Sequence, residues 1–331
     1  MKKVTILSGG GSSSERAVSL SSGRAVFETL RVQMESELFE LEEDCLPESL
    51  DSERCVIFPL IHGEFGEDGR LQELLEARGF RYCGSDSVAS QICMNKDKAK
   101  VIAQRLGILT AEFCFYGGQG FEELEAFAGG PFVVKPNDRG SSVGVSKIYT
   151  SADFLYYSKN WQRGNWIIEP CIRGREFTVS ILGEEALPVI EICPRGGFYD
   201  YAHKYTVGAT DYRVPASITA AESRHIQKIS KEIFGACGCR DFARLDFILD
   251  GDGNFYFLEI NTIPGMTVTS LLPKAAAAVG IDFSTLCRRM INFAFERDYS
   301  SKLSENSLTI SVTSEEIFEA KRDKALSFEI H

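Results

Sequence analysis

No C-x-x-C pair occurs in this chain, although it has 10 cysteines, and they are accompanied by 4 histidines. Cys237-Gly-Cys239 is the closest spacing, and no zinc site is expected from it. Positive charge is also short: 36 Lys and Arg against 47 Asp and Glu leave a net charge of −11. That argues against a nucleic-acid protein, which needs a broad basic surface, but leaves room for a local basic pocket. No apolar run is long enough to span a membrane. Met1-Lys2-Lys3 starts like a signal peptide, yet the apolar run after it breaks at Ser8-Gly9-Gly10, too early for a signal core. The Walker A ending G-K-[ST] is missing, and the near-match to a dinucleotide fingerprint, Gly9-x-Gly11-x-x-Ser14, lacks its third glycine. Scattered thiols in a chain of 331 residues fit a reducing cytoplasm better than a disulfide framework. At 44% hydrophobic and 25% charged, the chain can bury two or three full-sized cores.

What is present centres on Asp241 to Gly265. Ala243 to Leu249 and Phe255 to Ile260 read as strands, apolar, aromatic and β-branched. Asp250-Gly251-Asp252-Gly253 between them is hairpin chemistry, since Gly tolerates the positive φ such turns need. Asp246 lies in the first strand. Glu259 and Asn261 lie two apart in the second and so point to one face. Two carboxylates and an amide oxygen suit a hard divalent cation, best Mg²⁺ shared with a nucleotide's phosphates. Arg244, two before Asp246, places a cation beside them, as anionic chemistry requires. The bland alternative is an acidic hairpin facing water. Glu259 sits within an apolar run and is followed by Asn-Thr-Ile-Pro-Gly, which favours the metal.

The first 86 residues alternate strand and helix. Val4 to Leu7 runs through Gly9-Gly10-Gly11-Ser12-Ser13-Ser14 into a helix from about Glu15 to Leu30, an anion-binding arrangement. Strands are predicted at Glu37 to Leu41 and Cys55 to Leu60, then the loop His62-Gly63-Glu64-Phe65-Gly66-Glu67-Asp68-Gly69 and a helix over Arg70 to Arg78. The pattern implies an α/β fold with a doubly wound parallel sheet whose ligand sites lie at strand carboxyl ends, where Glu15 and His62 fall. Taken alone, His62 reads better as a loop histidine bonding local backbone.

Residues 87–175 form a central part. Met94 to Leu106 is predicted as one helix whose lysines, Lys96, Lys98 and Lys100, mostly face solvent. Phe132 to Pro136 is a strand that ends on Lys135 and opens into Asn137 to Val145. There Gly140, Ser141, Ser142 and Gly144 offer N–H groups and hydroxyls to a phosphate. A surface hairpin is the alternative. A further strand ends Ile167-Ile168-Glu169-Pro170, and Glu176 follows Arg175. In the last part, residues 176–300, strands are expected at Glu176 to Leu182 and Ala186 to Ile192. Between them and a helix over Ala220 to Ala236 lies the long aromatic segment 193–215, a lid or disordered, carrying Lys204 and Tyr205. Leu271 to Ala278 and Phe283 to Phe295 are closing helices. The polar tail 301–331 shows no chemistry.

The ordered set G-G-G-S-S-S-E-R-A-V-S-L, H-G-x-x-G-E-D-G, K-P-x-x-x-G-S-S-V-G-V, R-E-F-T-V, R-L-D-F and L-E-I-N-T-I-P-G-M-T resembles the D-alanine–D-alanine ligases of the ATP-grasp superfamily over residues 1 to about 298. The resemblance implies three α/β domains with ATP between the central and C-terminal ones, and a cytoplasmic homodimer serving peptidoglycan precursor synthesis. It implies ATP as co-substrate and two Mg²⁺ ions, with Mn²⁺ as a substitute, held by Asp246, Glu259 and Asn261. Lys96 and Lys135 match phosphate lysines, and Gly140 to Gly144, with Ser141 and Ser142, the loop over the phosphates. Glu169 matches an adenine contact and Glu176 a ribose contact. Pro170 stands where the family often has Lys, and its backbone offers a carbonyl but no N–H. Glu15 matches the carboxylate for the first substrate's ammonium, with His62 nearby. Ser141 and Tyr205 match the partners that bridge to Glu15, and Lys204 the lid lysine. Arg244 and the Gly265 N–H match oxyanion donors, and Ser270 and Leu271 the second substrate's carboxylate site. A depsipeptide ligase is the nearest rival. Such enzymes carry a different lid, typically with His in place of Tyr205. Another ATP-grasp carboxylate–amine ligase is argued against by His62-Gly63 and the lid. A non-catalytic nucleotide-binding protein would need none of the three metal-type oxygens.

Overall fold

The computed structural model describes residues 2–10, 15–141, 143–161, 163–195 and 210–297. Gly11 to Ser14, Ser142, the lid residues 196–209 with Lys204 and Tyr205, and the tail 301–331 lie outside the described residues.

Three sheets carry the chain. In the first, β1 (Lys3–Gly9), β2 (Ser36–Leu41), β3 (Cys55–Pro59) and β4 (Arg81–Tyr82) pair in parallel in the order β2-β1-β3-β4. Both β1 and β3 are almost wholly buried, which is why they read as continuous apolar runs. Helices α1 (Arg16–Leu30) and α2 (Arg70–Ala77) supply the crossovers. The helix predicted over 94–106 is α4 (Lys96–Arg105), and a separate helix, α3 (Ser87–Met94), ends just before it. Asn95 at φ −85°, ψ 105° separates them, because an extended ψ cannot continue a helix. Asp86 caps α3 by accepting from the Ala89 N–H.

The second sheet is antiparallel: β5 (Cys114–Phe115), β8 (Trp166–Pro170), β6 (Phe132–Pro136) and β7 (Ser146–Ile148), in that order. Helices α5 (Phe121–Ala128) and α6 (Ser151–Tyr157) accompany it, and Phe132, Val134, Trp161, Trp166 and Ile168 form its small core.

The third sheet runs β12-β11-β9-β13-β14. Its strands are β9 (Gly174–Leu182), β11 (Ile190–Pro194), β12 (Thr210–Arg213), β13 (Phe242–Asp250) and β14 (Phe255–Asn261), with the short β10 (Glu185–Ala186) on β9. The strand expected over 186–192 is therefore interrupted at 187–189, where Pro188 has no N–H for a ladder. Helix α7 (Ala220–Ala236) begins with a capping box between Thr219 and Glu222 and precedes β13. Helices α8 (Leu271–Ala277) and α9 (Phe283–Glu296) close the described chain. Leu286, Met290, Ile291 and Ala294 of α9 join Val4, Val26, Leu30 and Phe58 in one buried cluster, which also holds Phe242 at the start of β13. That shared core fixes the metal-type hairpin against the parallel sheet.

Candidate active site

Strand β13 alternates strictly. Ala243, Leu245, Phe247 and Leu249 are buried, whereas Arg244, Asp246 and Ile248 face a cleft. Its partner β14 would place Phe255, Phe257, Glu259 and Asn261 on one face if it were regular. It is not: Asp246 pairs with Glu259, but Phe247 pairs with Phe257, so Leu258 is an extra residue. This bulge turns the core aromatics Phe255 and Phe257 inward while Glu259 and Asn261 face the cleft beside Asp246 and Arg244. At the far end, the Asp250 carboxylate accepts from the Asp252 and Asn254 N–H groups at 2.9 Å each, and Gly253 takes φ +87°, closing the turn.

The hairpin floors two adjoining cavities of about 430 Å³ each, both of which Lys96, Asp246 and Glu259 line. Arg244 grips Asp246 in a fork, Nε to Oδ1 at 3.0 Å and Nη2 to Oδ2 at 2.9 Å, and Thr178 Oγ1 donates to Oδ1 at 2.7 Å. A carboxylate has about four acceptor sites, so Oδ2 keeps one to share. Lys96 lies 3.5 Å from Glu259. Asn261 Oδ1 is buried with no hydrogen-bond donor. Such an atom costs free energy unless a cation or water meets it. With a shareable oxygen on Asp246 and the Glu259 carboxylate, it makes an all-oxygen set that fits Mg²⁺, which keeps waters and phosphates in its remaining positions. Among the described residues no group of three His, Cys, Asp or Glu side chains could hold a metal ion, so a set of three donors at this hairpin would include the amide oxygen.

In the first cavity Ser141 Oγ donates to Glu15 Oε1, and Ser141 holds φ +52°, a strained value for a residue with a Cβ. Gly140 beside it has its Cα hydrogens against Glu15, where a Cβ would meet Oε2 at 3.1 Å. The loop is pinned from α4: the Lys96 N–H donates to Asn137 O, Asp97 and Asn137 exchange side-chain and backbone bonds, and the Lys96 ammonium donates to Arg139 O. His62 is buried, with Nε2 3.2 Å from Ser22 Oγ, which also accepts from the Met266 N–H at 3.1 Å. Burial drives its pKa down to about 4, outweighing its bond to the Ile263 backbone, so the ring is neutral at pH 7.

Glu67 was legible in sequence as one acid of a loop and no more. It accepts from the Gly63 N–H at 2.6 Å and the Ile263 N–H at 3.3 Å, tying the His62 loop to the segment leading to Gly265. Burial first, and the Glu15 charge second, push its pKa up to about 8. Gly265 lines this cavity with Ser270 and Leu271. The Thr267 N–H donates to Ser270 Oγ at 3.1 Å, folding the segment over the start of α8.

The second cavity mixes Val133, Val145, Ile172, Phe177 and Leu258 with Lys96, Lys135, Glu169 and Glu176. An apolar slot edged by ammonium groups suits a flat base carrying phosphates. Here the lysine expectation fails: Lys96 and Lys100 are buried, at 6% and 0% exposure, rather than on a solvated face. They lie four apart on the same side of α4, which packs against β14. Burial lowers the pKa of both, that of Lys100 to about 8. Glu169 is held between Lys135 Nζ at 2.9 Å and Lys100 Nζ at 3.1 Å, its carboxylate buried. Burial opposes its ionisation, but the two ammoniums outweigh it and hold its pKa below the usual range. The structure thus brings Glu15, His62, Ser141, Arg244, Gly265, Ser270 and Leu271 around one cavity, and Lys135, Glu169 and Glu176 around the other.

The family model described as D-ala D-ala ligase C-terminus matches residues 104–292, and the one described as D-ala D-ala ligase N-terminus matches residues 33–85. The D-alanine–D-alanine ligase of Methylacidiphilum infernorum is 38% identical over 298 residues, covering 87% of this chain and 94% of that one. That of Anaeromyxobacter dehalogenans is 41% identical over 302 residues, covering 88% and 97%. Among solved structures, the D-alanine–D-alanine ligase of Bacillus anthracis complexed with ATP superposes with a TM-score of 0.77 at 31% identity, covering 89% of this chain and 98% of that one. The VanG D-Ala:D-Ser ligase of Enterococcus faecalis gives 0.73 at 27% identity, covering 88% and 99%. The mixed parallel and antiparallel α/β architecture is that of ATP-grasp enzymes. By this sequence identity and coverage, the chain belongs to the D-alanine–D-alanine ligase family.

Proposed function

We propose that this chain joins two D-alanines to D-alanyl-D-alanine at the expense of ATP, through an acyl phosphate, in the cytoplasm and for peptidoglycan precursor synthesis. The observation that carries the reading is the bulged hairpin that presents Asp246 and Glu259 to both cavities at once, with Arg244 and Asn261 beside them on the first. One cavity then supplies the phosphoryl group and the other the acceptor. The second cavity takes the nucleotide, its base against the apolar wall, its ribose near Glu176 and its phosphates toward Lys96 and Lys135. Asp246, Glu259 and Asn261 hold Mg²⁺, which when bound neutralises the phosphates and aligns the transfer.

In the first cavity Glu15, braced by Ser141, holds the ammonium of the first D-alanine. That substrate's carboxylate oxygen attacks the γ-phosphorus, and ADP leaves. The amine of the second D-alanine, held through its carboxylate at Ser270 and Leu271, attacks the carbonyl carbon. The tetrahedral oxyanion falls to Arg244 and the Gly265 N–H, and inorganic phosphate departs with the oxygen that joined it to the acyl group. Lys204 and Tyr205, which the sequence assigns to the lid, complete this reading by excluding water from the acyl phosphate. The three-domain division at residues 86 and 175 and a homodimer belong to the same proposal, on family likeness.

The test is phosphate release from ATP and Mg²⁺ with D-alanine, and with D-lactate or D-serine plus D-alanine in parallel, with product mass determined. D-alanine-dependent release and a D-Ala-D-Ala mass are expected. Release only with a mixed pair would move the substrate, and none with any pair from folded, ATP-binding protein would leave a binding protein.

A further inference from the structure

We propose that Lys100, which lines neither cavity, is a positioning residue for the nucleotide: it neutralises Glu169 so that the Lys135 ammonium remains available to a phosphate chain. This rests on the reading of the second cavity as the nucleotide site.

Lys100 is wholly buried. Its Nζ donates to Thr110 Oγ1 at 2.7 Å and to Ala111 O at 3.3 Å, and stands 3.1 Å from Glu169 Oε1, the oxygen that Lys135 does not use. Glu169 Oε2 accepts from Lys135 at 2.9 Å. One carboxylate therefore stands between two ammoniums, and the group carries a net charge of one positive unit. Take Lys100 away and Glu169 is neutralised by Lys135 alone. The pair then presents no net charge to the cavity that both residues line. A buried carboxylate draws a lone ammonium tightly, because the alternative is an uncompensated charge in low dielectric.

Lys100 is also held in place from the catalytic side. Thr110 Oγ1, having accepted from Lys100, donates to Phe257 O at 2.7 Å, and the Phe257 N–H donates to Leu109 O at 2.8 Å. Phe257 lies on the core side of the bulge whose other side carries Glu259. One ammonium thus joins α4, the 109–111 segment, β8 and β14, while the ammonium one turn earlier on α4, that of Lys96, reaches Glu259. A role confined to fixing this geometry would not depend on whether Glu169 is charged. The proposed role does.

The experiment compares wild type, Lys100→Met, and Lys100→Met with Glu169→Gln, reading ADP binding with Mg²⁺ by calorimetry and the KM values for ATP and D-alanine. Loss of one net charge several ångströms from the phosphates, at an effective dielectric of about 20, corresponds to roughly 10- to 100-fold in nucleotide affinity. Lys100→Met is expected to weaken ADP and raise the KM for ATP by about that factor, with the KM for D-alanine changed less than about twofold. The double variant frees Lys135 again, and Gln keeps an acceptor oxygen for the base, so most of the loss is recovered. Normal ADP affinity in Lys100→Met overturns the proposal. So does a double variant that binds ADP about 10- to 100-fold more weakly than wild type, a comparison that needs no folded single variant. Wild type that binds no Mg·ADP overturns the function reading, and this proposal with it.

Discussion

Asn261→Leu is expected to separate stability from function in opposite directions. Asn261 Oδ1 is buried and accepts from no described protein group. A buried acceptor left unpaired costs about 1–3 kcal/mol. Leu has the same branched shape with four side-chain heavy atoms and suits a strand, so it removes that cost without opening a cavity. In chelator, the variant should unfold in urea at the wild-type midpoint or above it, by up to about 1–3 kcal/mol. With Mg²⁺ and ADP present the order reverses. A ligand at 100 times its Kd stabilises the wild type by about 2.7 kcal/mol. The variant, lacking one oxygen of the metal set, gains much less, and its turnover collapses. The assay is a pair of urea curves, one in EDTA and one with Mg·ADP. A variant clearly less stable in EDTA would show that Oδ1 has a partner in the resting protein. A variant that keeps the full Mg·ADP stabilisation would remove Asn261 from the metal set.

Three further outcomes are expected. Glu259→Gln should lose about 10²–10³ or more in kcat, as for loss of a transition-state charge stabiliser, with an unchanged circular dichroism spectrum; near-normal turnover would refute the ligand role. His62 has a pKa of about 4 in the fold against 6.5 ordinarily, so its neutral form contributes stability above pH 6.5 that is lost as pH falls to 4. Subtracting the His62→Gln stability curve from that of wild type should isolate a loss of about 3 kcal/mol across that window, and a flat difference would show an exposed ring. Gly66→Ala puts a Cβ 1.8 Å from Ile61 O, so the loop carrying His62 and Glu67 has to move. A destabilisation of about 1–3 kcal/mol or more is expected, together with weaker D-alanine binding; a wild-type melting temperature would contradict the packing.

The hairpin was legible because a local rule governs it: alternation sets the faces of Arg244 and Asp246, and Asp-Gly-Asp-Gly sets the turn. The Leu258 bulge was not, because nothing in L-E-I-N announces which residue is unpaired, and only the ladder to β13 decides it. Helix α7 was read over Ala220 to Ala236, and those bounds hold because Thr219 and Glu222 set its start by local bonds. The lysines of the 94–106 helix were read as mostly solvated because helical periodicity cannot tell a lysine facing water from one facing a buried carboxylate 69 residues away. The spacing of Lys96 and Lys100 at i and i+4 was the available signal. Glu67 was hidden in the same way: its partner at Ile263 lies across the molecule. Glu169 was assigned to the base by likeness alone, and nothing local in Ile-Ile-Glu-Pro announces the two ammonium groups that flank its carboxylate.

The central claim is that a substrate carboxylate is activated as an acyl phosphate in the cleft over this hairpin. The most direct measurement is oxygen transfer, using D-alanine labelled with ¹⁸O in its carboxylate and mass analysis of the inorganic phosphate released during dipeptide synthesis. The account predicts one ¹⁸O in each phosphate, since the attacking carboxylate oxygen leaves with phosphorus. Unlabelled phosphate alongside dipeptide, or AMP and pyrophosphate in place of ADP and phosphate, would contradict it.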